Sequence, residues 1–183
     1  HHHADHTGGI KGLLEHFGDL PVYGPANSPY AGITHKLKEN DSVSIFDAHF
    51  SIMEIPGHTL DHIAYYNDQQ GLLFCGDTLF LAGCGRVFEG SHLQMHQSLN
   101  KIMALPAMTM AYPTHEYSIA NLKFAMAVDG NNEALKLAQT MCREIRAENE
   151  VTLPTRLAQE AATNPFLRTH DKAVIASAED YQK

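Results

Sequence analysis

The most informative segment of the 183-residue chain reads His1-His2-His3-Ala4-Asp5-His6, followed by Thr7-Gly8-Gly9. Alternate residues of an extended segment point the same way, so His1 and His3 can hold one ion. Asp5 and His6 can point at a second ion once the chain turns towards the glycines. Borderline divalent ions such as zinc bind imidazole nitrogen and carboxylate oxygen, so this spacing predicts a metal site.

Two other interpretations of this segment remain open. The three leading histidines could be the remnant of an affinity tag, and the pair Asp5-His6 could be a helix N-cap. If the metal interpretation holds, the first ligand is His1, and a metal site needs rigid support that a chain end does not provide. We therefore expect a complete protein to carry further strands before this segment.

Composition narrows the class of protein. Apolar residues make up 44% and charged residues 19% of the chain, which is typical of a folded globular protein. The net charge of -8 disfavours nucleic-acid binding, and no apolar run is long enough to span a membrane. Three cysteines predict a reducing compartment, and hence a cytoplasmic location. The 13 histidines point to metal binding.

The hydrophobic pattern predicts strands that give way to a helical tail. Alternating or continuous apolar runs predict strands at 20–23, 42–46, 50–55, 63–66, 72–75 and 108–112, with a loop at 83–85. Helical spacing predicts helices at 7–17, 93–105, 121–128, 132–149 and 154–162. The change in composition near Tyr117 predicts a boundary between a strand-rich region at 1–117 and a helical region at 118–183.

Further candidate ligands follow the ends of predicted strands. His58 comes after the rigid turn Pro56-Gly57, Asp77 follows a fully apolar strand, and His115 follows the last strand. A carboxylate at the position of Asp77 is costly to bury unless it is paired or bound to a metal. With the opening segment, these residues suffice for two divalent ions, and Asp77 can bridge them.

Most of the other histidines are interpreted as ordinary surface or core residues. This group comprises His16, His35, His49, His62, His92, His96 and His170. His62 lies close to His58 and could support it, and Asp61 could orient a metal-binding histidine.

The motifs resemble those of one enzyme family. The opening His-x-His-x-Asp-His spacing is similar to the signature of the metallo-β-lactamase fold, which implies an α/β protein with an αββα sandwich of two mixed sheets, N-terminally incomplete here. Four further stretches and the tail resemble glyoxalase II, the hydroxyacylglutathione hydrolase family. They are Pro56-Gly57-His58-Thr59, Cys75-Gly76-Asp77-Thr78-Leu79-Phe80, Gly83-Cys84-Gly85-Arg86, Thr114-His115-Glu116-Tyr117 and Asn121-Leu122-Lys123-Phe124-Ala125.

The resemblance implies a metallo-β-lactamase-like metal-binding domain at 1–117, a helical substrate-binding region at 118–183, a ligand set and a substrate site. His1, His3 and His58 would hold one ion, and Asp5, His6 and His115 the other, with Asp77 bridging. Arg86, Phe88 and Tyr117 would contact glutathione, although Phe88 stands where the family often has a tyrosine. The family's C-terminal basic segment has no counterpart in this sequence.

The resemblance also implies a reaction. The expected substrate is a 2-hydroxyacylglutathione thioester such as S-lactoylglutathione, a step in methylglyoxal detoxification. A metal-bridging hydroxide would attack the thioester carbonyl, with Asp77 and Asp5 acting through that hydroxide. Zinc is the expected metal, with iron or manganese as alternatives, and the expected state is a monomer without nucleic-acid or membrane partners.

Three competing hypotheses use the same residues. The first is a glutathione persulfide dioxygenase of the same fold with a single iron, which the long helical tail disfavours. The second is β-lactam hydrolysis, which Asp77 at the bridging position and the helical tail disfavour. The third is a truncated, non-catalytic chain that only binds metal.

Overall fold

A computed structural model describes residues 1–181, and its centre is a six-stranded mixed sheet. The strands of this sheet, in chain order, are β3 (Ser42–Ile45), β4 (Ala48–Glu54), β5 (Ile63–Asn67), β6 (Leu72–Gly76), β9 (Met110–Pro113) and β10 (Thr155–Arg156). Their spatial order is β10-β9-β6-β5-β4-β3. Neighbours are antiparallel except β6 and β9, which are parallel.

The remaining strands form two small pairs. Strands β1 (Tyr23–Pro25) and β2 (His35–Leu37) are parallel, and β7 (Leu79–Phe80) and β8 (Gly83–Cys84) form an antiparallel hairpin. The fold is the expected α/β arrangement, but only one of the sheets is large and mixed. The segment 83–85 was predicted as a loop, and its first two residues instead pair with β7.

The two faces of the large sheet are covered differently because side chains alternate along each strand. On β4, Met53 belongs to the main core, whereas Ile52 packs with Leu37 of β2 in a smaller cluster. The main core is completed by helix α3 (His92–Met103), which buries Leu99 and Ile102 as its apolar spacing predicts. A capping box formed by Ser91 and Gln94 fixes the start of α3.

The C-terminal region is helical. Its α-helices are α4 (Ser118–Val128), α5 (Glu133–Ala147), α6 (Leu157–Thr163) and α7 (Lys172–Tyr181), with a short 3₁₀ helix at Pro165–Leu167. Leu135, Leu137 and Met141 all fit the helical spacing of α5, but only Leu135 is buried, and Leu137 and Met141 are exposed. Pro154 was expected inside a helix, but it precedes β10 instead.

A buried carboxyl group connects the C-terminal region to the hairpin of β7 and β8. Glu160 is fully buried and accepts hydrogen bonds from the Ala82 amide (2.8 Å), the Thr155 hydroxyl (2.6 Å) and the Asn164 side-chain amide (3.0 Å). Asn164 also donates to the Gly83 carbonyl oxygen at 2.9 Å. Together with β10, which pairs with β9, these contacts join the C-terminal region to the sheet; the domain boundary at 117 stays a prediction.

Within residues 1–181, no helix combines the length and apolar character needed to cross a bilayer.

Candidate metal centre

The direction of the strands brings the predicted ligands to one edge of the sheet. Strand β4 is antiparallel to β5 and β5 to β6, so β4 and β6 run the same way, as does β9. His58, Asp77 and His115 each follow the C-terminal end of one of these strands. The opening segment reaches the same edge just before helices α1 (Ala4–Thr7) and α2 (Ile10–Phe17).

Seven side chains converge there as two groups of possible ligands. The first group is His1, His3 and His58, and the second is Asp5, His6, Asp77 and His115; within each group the ligand atoms lie within 4.8 Å of one another. These are the seven residues that the sequence predicted, and Asp77, which the resemblance assigns to both ions, belongs to the second group.

The carboxylate of Asp77 lies between the two groups. Its Oδ2 atom is 3.5 Å from Nε2 of His58 and 3.5 Å from Nε2 of His115, and its Oδ1 atom is 3.4 Å from Nε2 of His6. Asp5 reaches the same region, with Oδ2 3.2 Å from Nε2 of His115. The Asp77 carboxylate is therefore close to members of both groups.

Several buried ligand atoms lack hydrogen-bond partners, and this indicates whether the residues fit metal binding. Both ring nitrogens of His1, Nε2 of His6 and Oδ1 of Asp77 are buried without a hydrogen-bond partner among residues 1–181. Buried polar atoms are normally satisfied, so several orphaned ligand atoms at one place are unusual. Divalent ions would satisfy them, and the residues present fit metal binding.

The surroundings of two histidines favour the form of the imidazole that binds metal. His58 Nδ1 donates to the Arg86 carbonyl oxygen at 2.7 Å, which leaves Nε2 without a proton and available as a ligand atom, 3.2 Å from Nδ1 of His3. Burial lowers the pKa of His6 although the carboxylates of Asp77 and Asp5 oppose the shift. A lowered pKa favours the neutral imidazole that metals bind.

At two glycines near the centre, neighbouring atoms approach the backbone so closely that a side chain would not fit. Gly76 has a φ of 53°, and a Cβ there would lie 2.7 Å from the ring of His62. A Cβ at Gly85 would lie 1.8 Å from the Asp77 carbonyl oxygen. Only glycine permits both approaches, and both therefore help to place Asp77.

His62 was expected at most to support His58, and the structure places it against Asp77 and His1. Its ring is buried, stacks on His1 at 4.7 Å between ring centroids, and accepts the Asp77 amide N–H at 3.0 Å. Burial lowers the pKa of His62 to about 3, so the ring is neutral and can accept this bond. The pair Asp61-His62 repeats the pair Asp5-His6 and was the available signal for a role of His62 near the centre. A sequence alone does not show in which direction an imidazole ring points.

The predicted substrate residues line a cavity at the centre. The cavity has a volume of about 540 Å³ and is lined by His3, Asp5, His58, Asp77, Phe80, Arg86, Phe88, His115 and Tyr117. Tyr117 stacks on His115 with ring centroids 5.2 Å apart, and the Arg86 guanidinium lies 5.1 Å from the Phe88 ring centroid. The wall thus combines one cation with exposed aromatic faces.

A cysteine nucleophile is disfavoured at this site. Cys84 lies in the hairpin between Asp77 and Arg86, and burial raises the pKa of its thiol to about 12. The thiolate is the nucleophilic form, so this cysteine is unreactive near neutral pH.

Comparisons with known proteins agree with this geometry. Residues 1–115 match the metallo-beta-lactamase superfamily, and residues 116–183 match the hydroxyacylglutathione hydrolase C-terminus. A hydroxyacylglutathione hydrolase of Vibrio cholerae serotype O1 is 49% identical over 97% of this chain and 69% of its own length. One from Nitrosomonas eutropha is 50% identical over 99% of this chain and 71% of its own length.

Solved structures show the same fold. The BLEG-1 B3 metallo-beta-lactamase superposes with a TM-score of 0.64 at 25% identity, covering 91% of this chain and 74% of its own. The di-iron-bound form of TTHA1623 gives a TM-score of 0.61 at 25% identity, with the same coverage. The fold implies that the centre binds divalent metal. By its sequence and its fold, the chain belongs to the hydroxyacylglutathione hydrolase family of the metallo-β-lactamase superfamily.

Proposed function

We propose that this chain hydrolyses thioesters of glutathione, with S-lactoylglutathione as the representative substrate, giving a 2-hydroxy acid and glutathione. The observation that carries the proposal is the Asp77 carboxylate lying between two groups of ligand residues at the floor of the cavity. The names of the relatives, which are hydroxyacylglutathione hydrolases, support the substrate class.

The proposed centre holds two divalent ions, with zinc favoured and iron or manganese as alternatives. His1, His3 and His58 would hold one ion, Asp5, His6 and His115 the other, and Asp77 both. Ions bound there would supply Lewis-acid chemistry, lowering the pKa of water and polarising a carbonyl group.

The proposed work of the protein residues is orientation and proton handling. Asp77 fixes the spacing of the two ligand groups, and Asp5 Oδ2, at the rim of the cavity, can accept the proton of the attacking water. The glutathione thiolate is a good leaving group, so no dedicated general acid is needed.

Arg86, Phe88 and Tyr117 are proposed to bind the glutathione part of the substrate. Glutathione carries net negative charge and the chain has a net charge of -8, so recognition needs local positive charge. Arg86 supplies it in the cavity wall, while Phe88 and Tyr117 offer aromatic faces to the peptide backbone.

Two substitutions test this substrate site. Arg86→Ala is expected to raise KM about tenfold with a smaller effect on kcat, the loss expected for one charge-assisted contact. Phe88→Tyr is expected to lower KM about threefold, because it adds one hydrogen-bonding hydroxyl. Steady-state kinetics on S-lactoylglutathione measure both, with Arg143→Ala, an exposed arginine of α5, as the matched control. An unchanged KM in the Arg86 variant would contradict the assignment.

The proposed function itself is tested on purified protein. We expect two zinc ions per chain by elemental analysis, thioester hydrolysis that a chelator abolishes and zinc restores, and no oxygen uptake with glutathione persulfide. Oxygen uptake without thioester hydrolysis would favour the persulfide dioxygenase. Turnover of a chromogenic β-lactam alone would favour a lactamase, and metal binding without either reaction would favour a non-catalytic chain.

Two further proposals concern the oligomeric state and the location of the protein. We propose a monomer, which light scattering after size-exclusion chromatography can check. The three cysteines are free thiols, which supports a reducing, cytoplasmic location.

A further inference from the structure

His2 lies between two proposed ligands in sequence, yet its ring nitrogens face carboxylates outside the proposed ligand set. Nδ1 lies 2.9 Å from Oδ1 of Asp61, and Nε2 lies 3.1 Å from Oε1 of Glu89. The contact with Asp61 is a hydrogen bond in which the imidazole N–H donates to the carboxylate oxygen, and the contact with Glu89 is a close electrostatic pairing. The side chain between His1 and His3 is thus anchored at both of its polar ends.

Each carboxylate is in turn tied to the segment that follows His58. Asp61 Oδ1 also accepts the hydroxyl of Thr59 at 2.7 Å, and Glu89 Oε2 accepts the amide N–H of Leu60 at 2.9 Å. We call the side chains of His2, Asp61, Thr59 and Glu89 the His2 network. It connects the opening segment, the 58–62 segment and the loop that carries Arg86 and Phe88.

Burial makes the Asp61 arm of the network the stronger one. Asp61 is 4% exposed and Thr59 is fully buried, whereas the Glu89 side chain is 36% exposed. A hydrogen bond to a buried carboxylate is costly to lose, because the charge would be left without a partner. Water competes for the exposed carboxylate of Glu89 and weakens its contribution.

We propose that His2 is a positioning residue that holds His1 and His3 at a fixed distance from His58 through Asp61 and Glu89. Ligands that are oriented before the ion arrives bind it more tightly, and hydrogen-bonded partners behind the ligands supply this orientation. The inference rests on the proposed metal centre, and it adds a determinant of metal affinity that contacts neither metal nor substrate.

A different role for His2 can be separated from this one. Ligand atoms of His2, His3 and Glu89 lie within 4.8 Å of one another, which is a possible arrangement for a further cation. The contacts favour positioning, because His2 Nδ1 is hydrogen-bonded to Asp61 and the Glu89 oxygen Oε2 already accepts the Leu60 amide N–H.

The test measures zinc affinity directly. Metal-free protein is titrated with zinc against a chromophoric chelator, and folding of each metal-free variant is checked by circular dichroism and melting temperature. Asp61→Ala is expected to weaken zinc binding about 10- to 100-fold. Asp61→Asn is expected to retain most of the affinity, since its amide oxygen still accepts from His2 and Thr59. Asp68→Ala, at an exposed aspartate in the turn after β5, is the matched control.

A double-mutant cycle shows whether His2 acts through Asp61. The double variant His2→Ala, Asp61→Ala is expected to bind zinc no more weakly than the weaker single variant, because both changes break one connection. Additive losses, or unchanged affinity in the single variants, would overturn the positioning role. If Asp61→Ala does not fold, the same cycle is run with Glu89→Gln and judged in the same way.

The remaining outcomes separate this proposal from the proposed function. A wild-type chain that binds no zinc would count against the metal centre itself. Tight zinc binding by the wild type, together with unchanged zinc affinity in the variants, would count only against the His2 network. A third zinc ion in the wild type that Glu89→Gln removes would replace the positioning role with a further metal site.

Discussion

Asp77→Asn is expected to lower thioester turnover by about two to three orders of magnitude and to reduce bound zinc below two ions per chain. Asparagine has the shape of aspartate but lacks its charge, and its amide nitrogen cannot serve as a ligand. In the wild type Oδ2 lies 3.5 Å from the Nε2 atoms of His58 and His115, and Oδ1 lies 3.4 Å from Nε2 of His6, so the variant loses one of two oxygens that face these ligands.

Elemental analysis and kinetics on the same preparation measure this result. His58→Ala is the companion variant and is expected to lose turnover by orders of magnitude together with the ion of the first group. Asp68→Asn, in an exposed turn, is the control for the substitution chemistry. Normal turnover and two retained ions in the Asp77 variant would mean that the carboxylate does not hold the centre together.

The second large effect is expected away from the metal centre, at Glu160. Glu160→Leu leaves the amide of Ala82, the hydroxyl of Thr155 and the side chain of Asn164 without their acceptor inside the protein. Each unsatisfied buried polar group costs about 1–3 kcal/mol, so the free energy of unfolding should fall by about 3 kcal/mol or more. Urea unfolding measures the change, with Gln159→Leu on the exposed face of the same helix as control.

The variant Glu160→Gln removes the charge of the side chain but keeps its hydrogen bonds, so it separates the two contributions to stability. Its amide oxygen can accept from Ala82 and Asn164, and its amide nitrogen can donate to the Thr155 hydroxyl, so stability near that of the wild type is expected. Burial raises the pKa of Glu160 above its ordinary value of 4.5, although the bonds from Thr155, Ala82 and Asn164 oppose the shift.

The sign of the pH dependence follows from this shift. The unfolded state loses the Glu160 proton at a lower pH than the folded state, so the carboxyl contributes less stability as the pH rises above 4.5. The Gln variant lacks this loss, so its stability should gain on that of the wild type as the pH rises above 4.5. A difference that moves in the opposite direction would mean that the buried carboxylate is stabilised as an anion.

The convergence of three proposed ligands could be predicted because two simple signals coincide at each of them. His58, Asp77 and His115 are ligand types that follow the ends of strands with clear apolar patterns, and those ends meet at one edge of the sheet. His1 and His3 were recognisable from their alternation alone. These features depend on local sequence and on the direction of neighbouring strands.

The supporting residues could not be predicted in the same way. His2 and His62 are imidazoles beside proposed ligands, and only the direction of each ring separates a ligand from its support. Strand β10 was missed because two residues carry no periodicity, and its pairing with β9 is a long-range contact. Leu137 and Met141 match the helical spacing of α5, but the groove that they face is left uncovered by the other elements in residues 1–181.

The short strand β10 also affects how the protein could be divided into separately expressed fragments. It covers Met110 and Ala111 of β9, which would otherwise be the outer strand of the sheet on that side. A fragment ending at residue 117 would present those backbone groups to other molecules and invite edge-to-edge self-association. Separate expression of the two regions is therefore a poor route to a soluble metal-binding fragment, and co-expression of both pieces is the better design.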